Sequence, residues 1–144
     1  MLIEKKGYYY IKTVLFFAFS KKRSFSNKEI SERLEISEKV MEQVLLALKN
    51  SGILQSKRGP QGGYRLALDI SGLTLGDVLE RTGQRIDILP HDVRGKKNPL
   101  DEVLSGAAAL LKKGITKDLG KITIKSMRKR IKERVTETGL DYII

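Results

Sequence analysis

The sequence predicts a mainly α-helical fold with one small β-hairpin set among the helices. Three observations carry this prediction. Apolar residues recur at helical spacing through most of the chain. Two short strand-like runs flank the glycine-rich stretch "SKRGPQGGYRL" at residues 56–66. Capping residues, a proline and several glycines stand where helices should start and stop.

The first element is a helix over residues 7–19, with Ile11, Val14, Leu15 and Ala18 spaced for one buried face. "SKKRS" then makes a basic, polar break. Ser26 and Glu29 have the spacing of a capping box, so a short second helix begins there, with Ile30 and Leu34 inward. "LEIS" turns the chain. Ser37 is the N-cap of a third helix that runs to about Asn50. Met41, Val44, Leu45 and Leu48 form its buried stripe, and Lys39, Glu42, Gln43 and Leu46 its opposite face. Gly52 ends it. "ILQS" and "YRLAL" are the strands; in the second, Tyr64, Leu66 and Leu68 alternate with Arg65 and Ala67. Thr74 caps a short helix that closes near Gly83.

Residues 84–98 have no clear period and read as a loop or linker. Asn98 and Pro99 are an N-cap and first helical position, with Asp101 and Glu102 favourable at the positive helix end. Leu100, Val103, Leu104, Ala107, Ala108, Leu111 and Ile115 then make one continuous apolar stripe. "KITIKS" breaks it. A last helix carries Ile124, Met127, Ile131 and Val135 on one side and stops at Gly139, before the apolar tail "LDYII".

A chain of 144 residues suits one compact domain or a small domain with an appendage, and it can bury a sizeable core. Its formal charge of +11 favours an anionic partner, nucleic acid or an acidic membrane surface. A basic protein without such a partner is the bland alternative. With no cysteine, disulfides, thiolate zinc sites and thiol redox sensing are excluded. The apolar run "YYYIKTVLFFAFS" is interrupted by Lys12, lacks a cleavage site and is too short to span a bilayer. A buried first helix and a cytoplasmic protein, not bound to membrane, are expected.

The order helix, helix, turn, helix, hairpin is that of a winged helix-turn-helix. In that arrangement the second helix props the third, whose first residues can enter the major groove of DNA. Lys39, Glu42 and Gln43 suit that place: lysine meets guanine or phosphate, glutamine pairs with adenine, and glutamate accepts from cytosine. The other reading is an ordinary solvated face. The glycine-rich stretch is not a phosphate cradle, because it lacks the glycine-lysine-serine/threonine ending and precedes a strand instead of a helix. Its glycines allow a tight hairpin, its proline stiffens the tip, and Lys57, Arg58 and Arg65 give it charge.

The sequence resembles the Rrf2 family of bacterial transcriptional regulators over about residues 2–82. Met41, Glu42 and Gln43 match the family's step in the recognition helix. Gly52, Ile53, Leu54, Ser56, Arg58 and Gly59 match its strand and turn, and Gly62, Gly63 and Tyr64 the return. Leu73, Thr74 and Leu75 match the next helix start, and "KGYYYIKTVLFFA" is similar to the family's first helix. The resemblance implies a homodimer on a palindromic operator. The recognition helices would then enter successive major grooves, with Arg58 at the minor groove. On this reading the residues at the duplex are Ser26, Lys28, Ser37, Lys39, Glu42, Gln43, Lys57, Arg58, Gly59, Gly62 and Arg65. The sequence supports the dimer independently, because the stripe from Leu100 to Ile115 must be covered, either by its copy or by its own head.

The chain departs from the family in three places. Where family members carry three cysteines that ligate an iron–sulfur cluster, "RTGQRIDILPHDVRGKKNPL" has none, so no cofactor is expected and sensing through such a cluster is lost. His91 with Asp87 and Asp92 is too sparse a set for a metal site against the simpler reading of a solvated loop. Val40 stands where the family usually has an aromatic residue. From Lys112 to Arg134 there are also ten lysines and arginines against two acids, Asp118 and Glu133. That region is either a second contact with DNA backbone or a solvated helix face.

Three domains of the chain are thus expected: a winged helix-turn-helix head at 1–83, a linker at 84–98, and a long dimerisation helix with an extra basic C-terminal helix at 99–144. The function expected is a DNA-binding transcriptional regulator, a repressor by the family pattern, with no effector identified. A winged-helix module that contacts an acidic protein is the alternative. An enzyme has no support, since no carboxylate pair, nucleophile–base set or metal cluster is present.

Overall fold

The computed structural model describes residues 3–89 and 98–138. Most of the linker, with His91 and Asp92, lies outside the described residues, as do Gly139 and the tail. Six helices and one hairpin are described. Helix α1 spans Lys5–Phe19, α2 Asn27–Leu34 and α3 Glu38–Asn50. Strands β1 (Leu54–Lys57) and β2 (Gly63–Leu66) follow, then α4 (Leu75–Arg81), α5 (Pro99–Leu119) and α6 (Ile124–Thr138).

Local chemistry sets the boundaries. Ser26 accepts from the Glu29 N–H while the Glu29 carboxylate accepts from the Ser26 N–H, a closed capping box at α2. Lys22 donates to Glu29 at 2.8 Å and, with the Ser26 N–H, holds that carboxyl below its usual range. Thr74 and Asp77 form the same device at α4. Ser37 caps α3 by accepting from the Val40 N–H, and Asn98 caps α5 ahead of Pro99. The turn between α2 and α3 passes through Glu35 at φ 55°, and Ser31 Oγ fastens it by donating to the Ile36 carbonyl.

The core lies where α1, α2, α3 and the hairpin meet. Met41, Val44, Leu45 and Leu48 are all buried, as the stripe requires. The buried face of α1 is only partly the expected one: Val14 and Ala18 are buried as the spacing predicts. Tyr10, Thr13, Val14, Phe16, Phe17 and Ala18 are buried, whereas Ile11 and Leu15 are only half-buried. Helix α1 contacts α3, α4 and α6 together, so its covered side is wider than one stripe. In a segment this uniformly apolar, spacing alone does not fix the face.

The last helix also returns to the head. The Leu75 N–H donates to the Ile122 carbonyl and the Ile124 N–H to the Leu73 carbonyl, stitching the start of α6 to the start of α4. Ile124 is fully buried in the head's core, and Met127, Ile131 and Val135 are half-buried along α6, which packs on α1. Helix α5 behaves differently, for none of its residues is buried.

Strands β1 and β2 pair antiparallel, with Leu54 opposite Leu66 and Lys57 opposite Gly63. Gly62 and Gly63 are required here for different reasons. A Cβ on Gly62 would lie 2.2 Å from the Lys57 carbonyl oxygen, inside the turn. Gly63 has φ 124°, and a Cβ there would meet the Phe25 carbonyl oxygen at 2.5 Å. Both obstacles are backbone and cannot step aside. Gly62→Ala should therefore destabilise the fold by about 1–3 kcal/mol. Chemical denaturation measures this; an unchanged midpoint would show that the turn relaxes freely.

Candidate nucleic-acid interface

The third helix presents Lys39, Val40, Glu42 and Gln43 to solvent from its first half, and Leu46 just beyond it. Its other face is locked into the core through Met41, Val44 and Leu45, so the exposed side chains project from a rigid element. Asn27 Nδ2 donates to the Glu38 carbonyl, tying the start of α2 to the start of α3. Val40 is 37% exposed and Leu46 52%, two apolar surfaces between polar ones. Val40 escaped the sequence reading as a contact, yet its spacing from Lys39 and Gln43 puts it on their side of the helix. An aliphatic side chain there fits the methyl group of thymine.

The hairpin is held against this unit. Phe25, just before α2, exchanges backbone hydrogen bonds with Tyr64: its N–H donates to the Tyr64 carbonyl at 3.0 Å and its carbonyl accepts at 2.7 Å. Ser24 Oγ donates to the Gly62 carbonyl. The Phe25 ring is buried at 4.7 Å from Phe16 and 5.8 Å from Phe17, with Lys22 and Arg33 over its faces. The wing is therefore registered on the helix-turn-helix by backbone pairing, with an aromatic cluster beneath the joint.

The predicted contact residues divide by role. Lys39, Glu42, Gln43, Lys57, Arg58 and Arg65 are exposed on α3 or the hairpin. Lys28 is exposed on α2. Ser26 and Ser37 are engaged as caps, which leaves each hydroxyl a proton to donate. Gly59 lies exposed at the turn with φ 110°. The Gly62 N–H is already donated to the Gly59 carbonyl at 2.9 Å, so its backbone serves the turn.

Along α5, Leu100, Val103, Leu104, Leu110 and Leu111 are 56–74% exposed, and Ala107 is exposed beside them. Ala108 and Ile115 are half-buried. The head does not cover this stripe. Helix α6 turns its cations, among them Lys125, Arg128, Lys129 and Lys132, to solvent.

The model of the Rrf2 family, described as an iron-dependent transcriptional regulator, matches residues 3–130. The HTH-type transcriptional regulator IscR of Vibrio cholerae is 34% identical over 96 residues, which is 66% of this chain and 56% of that protein. IscR of Escherichia coli O1:K1 is 33% identical over 108 residues, 74% of this chain and 67% of that one. The chain spans about half the length of several such relatives. Among solved structures, IscR of T. potens superimposes with a TM-score of 0.72 at 27% identity, covering 93% of this chain and 90% of that one. CymR, the global cysteine regulator of B. subtilis, shares the fold with a TM-score of 0.71 at 24% identity, covering 90% and 98%. The residues present do not fit an iron–sulfur cluster, since the chain has no cysteine. Among the described residues no group of three or more histidines and carboxylates is placed to hold a metal ion, and no helix is long and apolar enough to cross a membrane.

Proposed function

The chain belongs to the Rrf2 family of transcriptional regulators, and from that premise we propose that it is a homodimeric, sequence-specific DNA-binding repressor that works without an iron–sulfur cluster. The observation that carries this reading is the joint between wing and helix-turn-helix. A rigid α3 offers Lys39, Val40, Glu42 and Gln43, while a hairpin fixed to the same unit through Phe25 and Tyr64 offers Lys57 and Arg58. The two elements keep one spacing, which a double-groove contact needs.

In this reading Gln43 and Lys39 read base edges in the major groove, and Glu42 selects against wrong bases as much as it attracts a right one. Arg58 enters the minor groove from the wing, while Lys28, Lys57 and Arg65 meet phosphates and set the register. The α5 stripe pairs with its copy. Two heads related by a two-fold axis then face two half-sites, which makes the operator an inverted repeat. The head at 1–83 reads DNA and the region from 99 onward joins protomers, with α6 bracing the head from behind.

Arg58→Ala should lose about 1–3 kcal/mol of operator affinity, roughly 5- to 150-fold, without loss of fold. Mobility-shift titrations with circular dichroism of the same sample test this. A variant that binds as tightly as the wild type removes the wing from the readout. Binding no tighter on the preferred duplex than on random DNA, at any salt concentration, would remove the whole reading.

A further inference from the structure

The basic break "SKKRS" is fixed in space. Ser20 Oγ donates to the Phe16 carbonyl, Lys22 is paired with Glu29 and lies over the Phe25 ring, and Ser24 donates to Gly62. Phe25 is bonded to Tyr64 on both sides of its peptide. Arg23 sits between these anchors, exposed, with its backbone neighbours held on either side. Across from it, Gln55 and Arg65 stand side by side in the hairpin register. Together Lys22, Arg23, Gln55 and Arg65 rim a basin of about 280 Å³ floored by Phe17 and Leu66. Lys22 has its carboxylate, whereas Arg23 and Arg65 have no ion pair among the described residues. Two arginines without an ion pair lining one basin, beside the amide of Gln55, offer donors for an oxyanion.

We propose that this basin grips a phosphate of the duplex outside the bases read by α3 and the wing tip, so that Arg23 extends the footprint on DNA. The inference rests on the DNA-binding reading. The Gln55–Arg65 pair lies two registers back from Lys57–Gly63, where the tip begins. That is about 7 Å along the strand. The anion met there belongs to the flank of the site and carries no sequence information.

The test compares wild type with Arg23→Gln and Arg23→Lys on the duplex preferred in selection from a random pool. That duplex is used with a further helical turn on each side, and again trimmed to its core. Arg23→Gln should bind the flanked duplex about three- to tenfold more weakly and flatten the log–log salt slope by about 0.9 for each phosphate lost. On the trimmed duplex it should match the wild type, and Arg23→Lys should keep most of the slope. An unchanged slope on the flanked duplex, or an equal loss on both duplexes, overturns the inference. Those results leave wild-type selectivity intact and so differ from failure of the DNA-binding reading, in which the wild type itself prefers no duplex.

Discussion

Leu104→Glu combined with Leu111→Glu is expected to leave a folded monomer that has lost about 10²–10⁴-fold of its operator affinity. Both side chains are more than half exposed on α5, at 56% and 57%, so the protomer does not depend on them. Neighbouring Leu100, Val103 and Leu110 are more exposed still. Helix α5 has 21 residues, a rod of about 32 Å at roughly 1.5 Å per residue. An exposed apolar stripe of this length is the surface that the proposed dimer would cover. Glutamates placed on it would face one another across a two-fold axis, where burial of like charge is prohibitive. In the proposed dimer the large loss would arise because a paired head binds its second half-site from the same molecule, at high effective concentration. Light scattering and anisotropy report the two effects together. A variant that stays dimeric would show that protomers pair elsewhere. One that becomes monomeric yet binds as before would show that the head reads DNA alone.

Phe25→Ala should cost about 3–5 kcal/mol of folding stability, among the largest losses open to a single substitution here. The ring is 1% exposed and packs on Phe16 and Phe17. Truncation leaves a cavity at the junction of α1, α2 and the hairpin, and it removes the face on which Lys22 and Arg33 lie. Domains of this size are stable by only about 5–15 kcal/mol. A denaturant midpoint close to wild type would mean that Phe16 and Phe17 collapse into the space. Because Phe25 carries the backbone bridge to Tyr64, near-native stability with lost affinity would separate wing placement from folding.

Much of the head, and the start of α5, was legible in the sequence because the signals that set them are local. Ser26 with Glu29, Ser37, Thr74, and Asn98 with Pro99 mark helix starts through hydrogen bonds spanning three residues or fewer, and the structure uses every one. The stripe of α3 was equally plain, since its polar positions contrast with Met41, Val44, Leu45 and Leu48. The family resemblance, carried by the wing glycines, agrees with the family match over residues 3–130.

Long-range returns were not legible. Nothing near Ile124 says that it fills the head's core, because its hydrogen-bond partner Leu73 lies some fifty residues earlier. Helix α1 is apolar on so many sides that spacing cannot choose its buried face. "SKKRS" reads as a solvated break, and only the hydrogen bonds of Ser24 and Lys22 show that it is held beside the wing. Gly62 is expected at the duplex by family pattern, and the 2.2 Å approach of a Cβ there to the Lys57 carbonyl shows in addition why the turn needs a glycine.

Selection of bound duplex from a random pool, followed by sequencing, tests the central claim most directly. A homodimer with α3 in successive major grooves predicts an enriched inverted repeat whose half-site centres lie about one helical turn, 10–10.5 base pairs, apart. Arg58→Ala should enrich the same repeat more weakly. A pool that stays random, or a single motif without two-fold symmetry, would contradict the account.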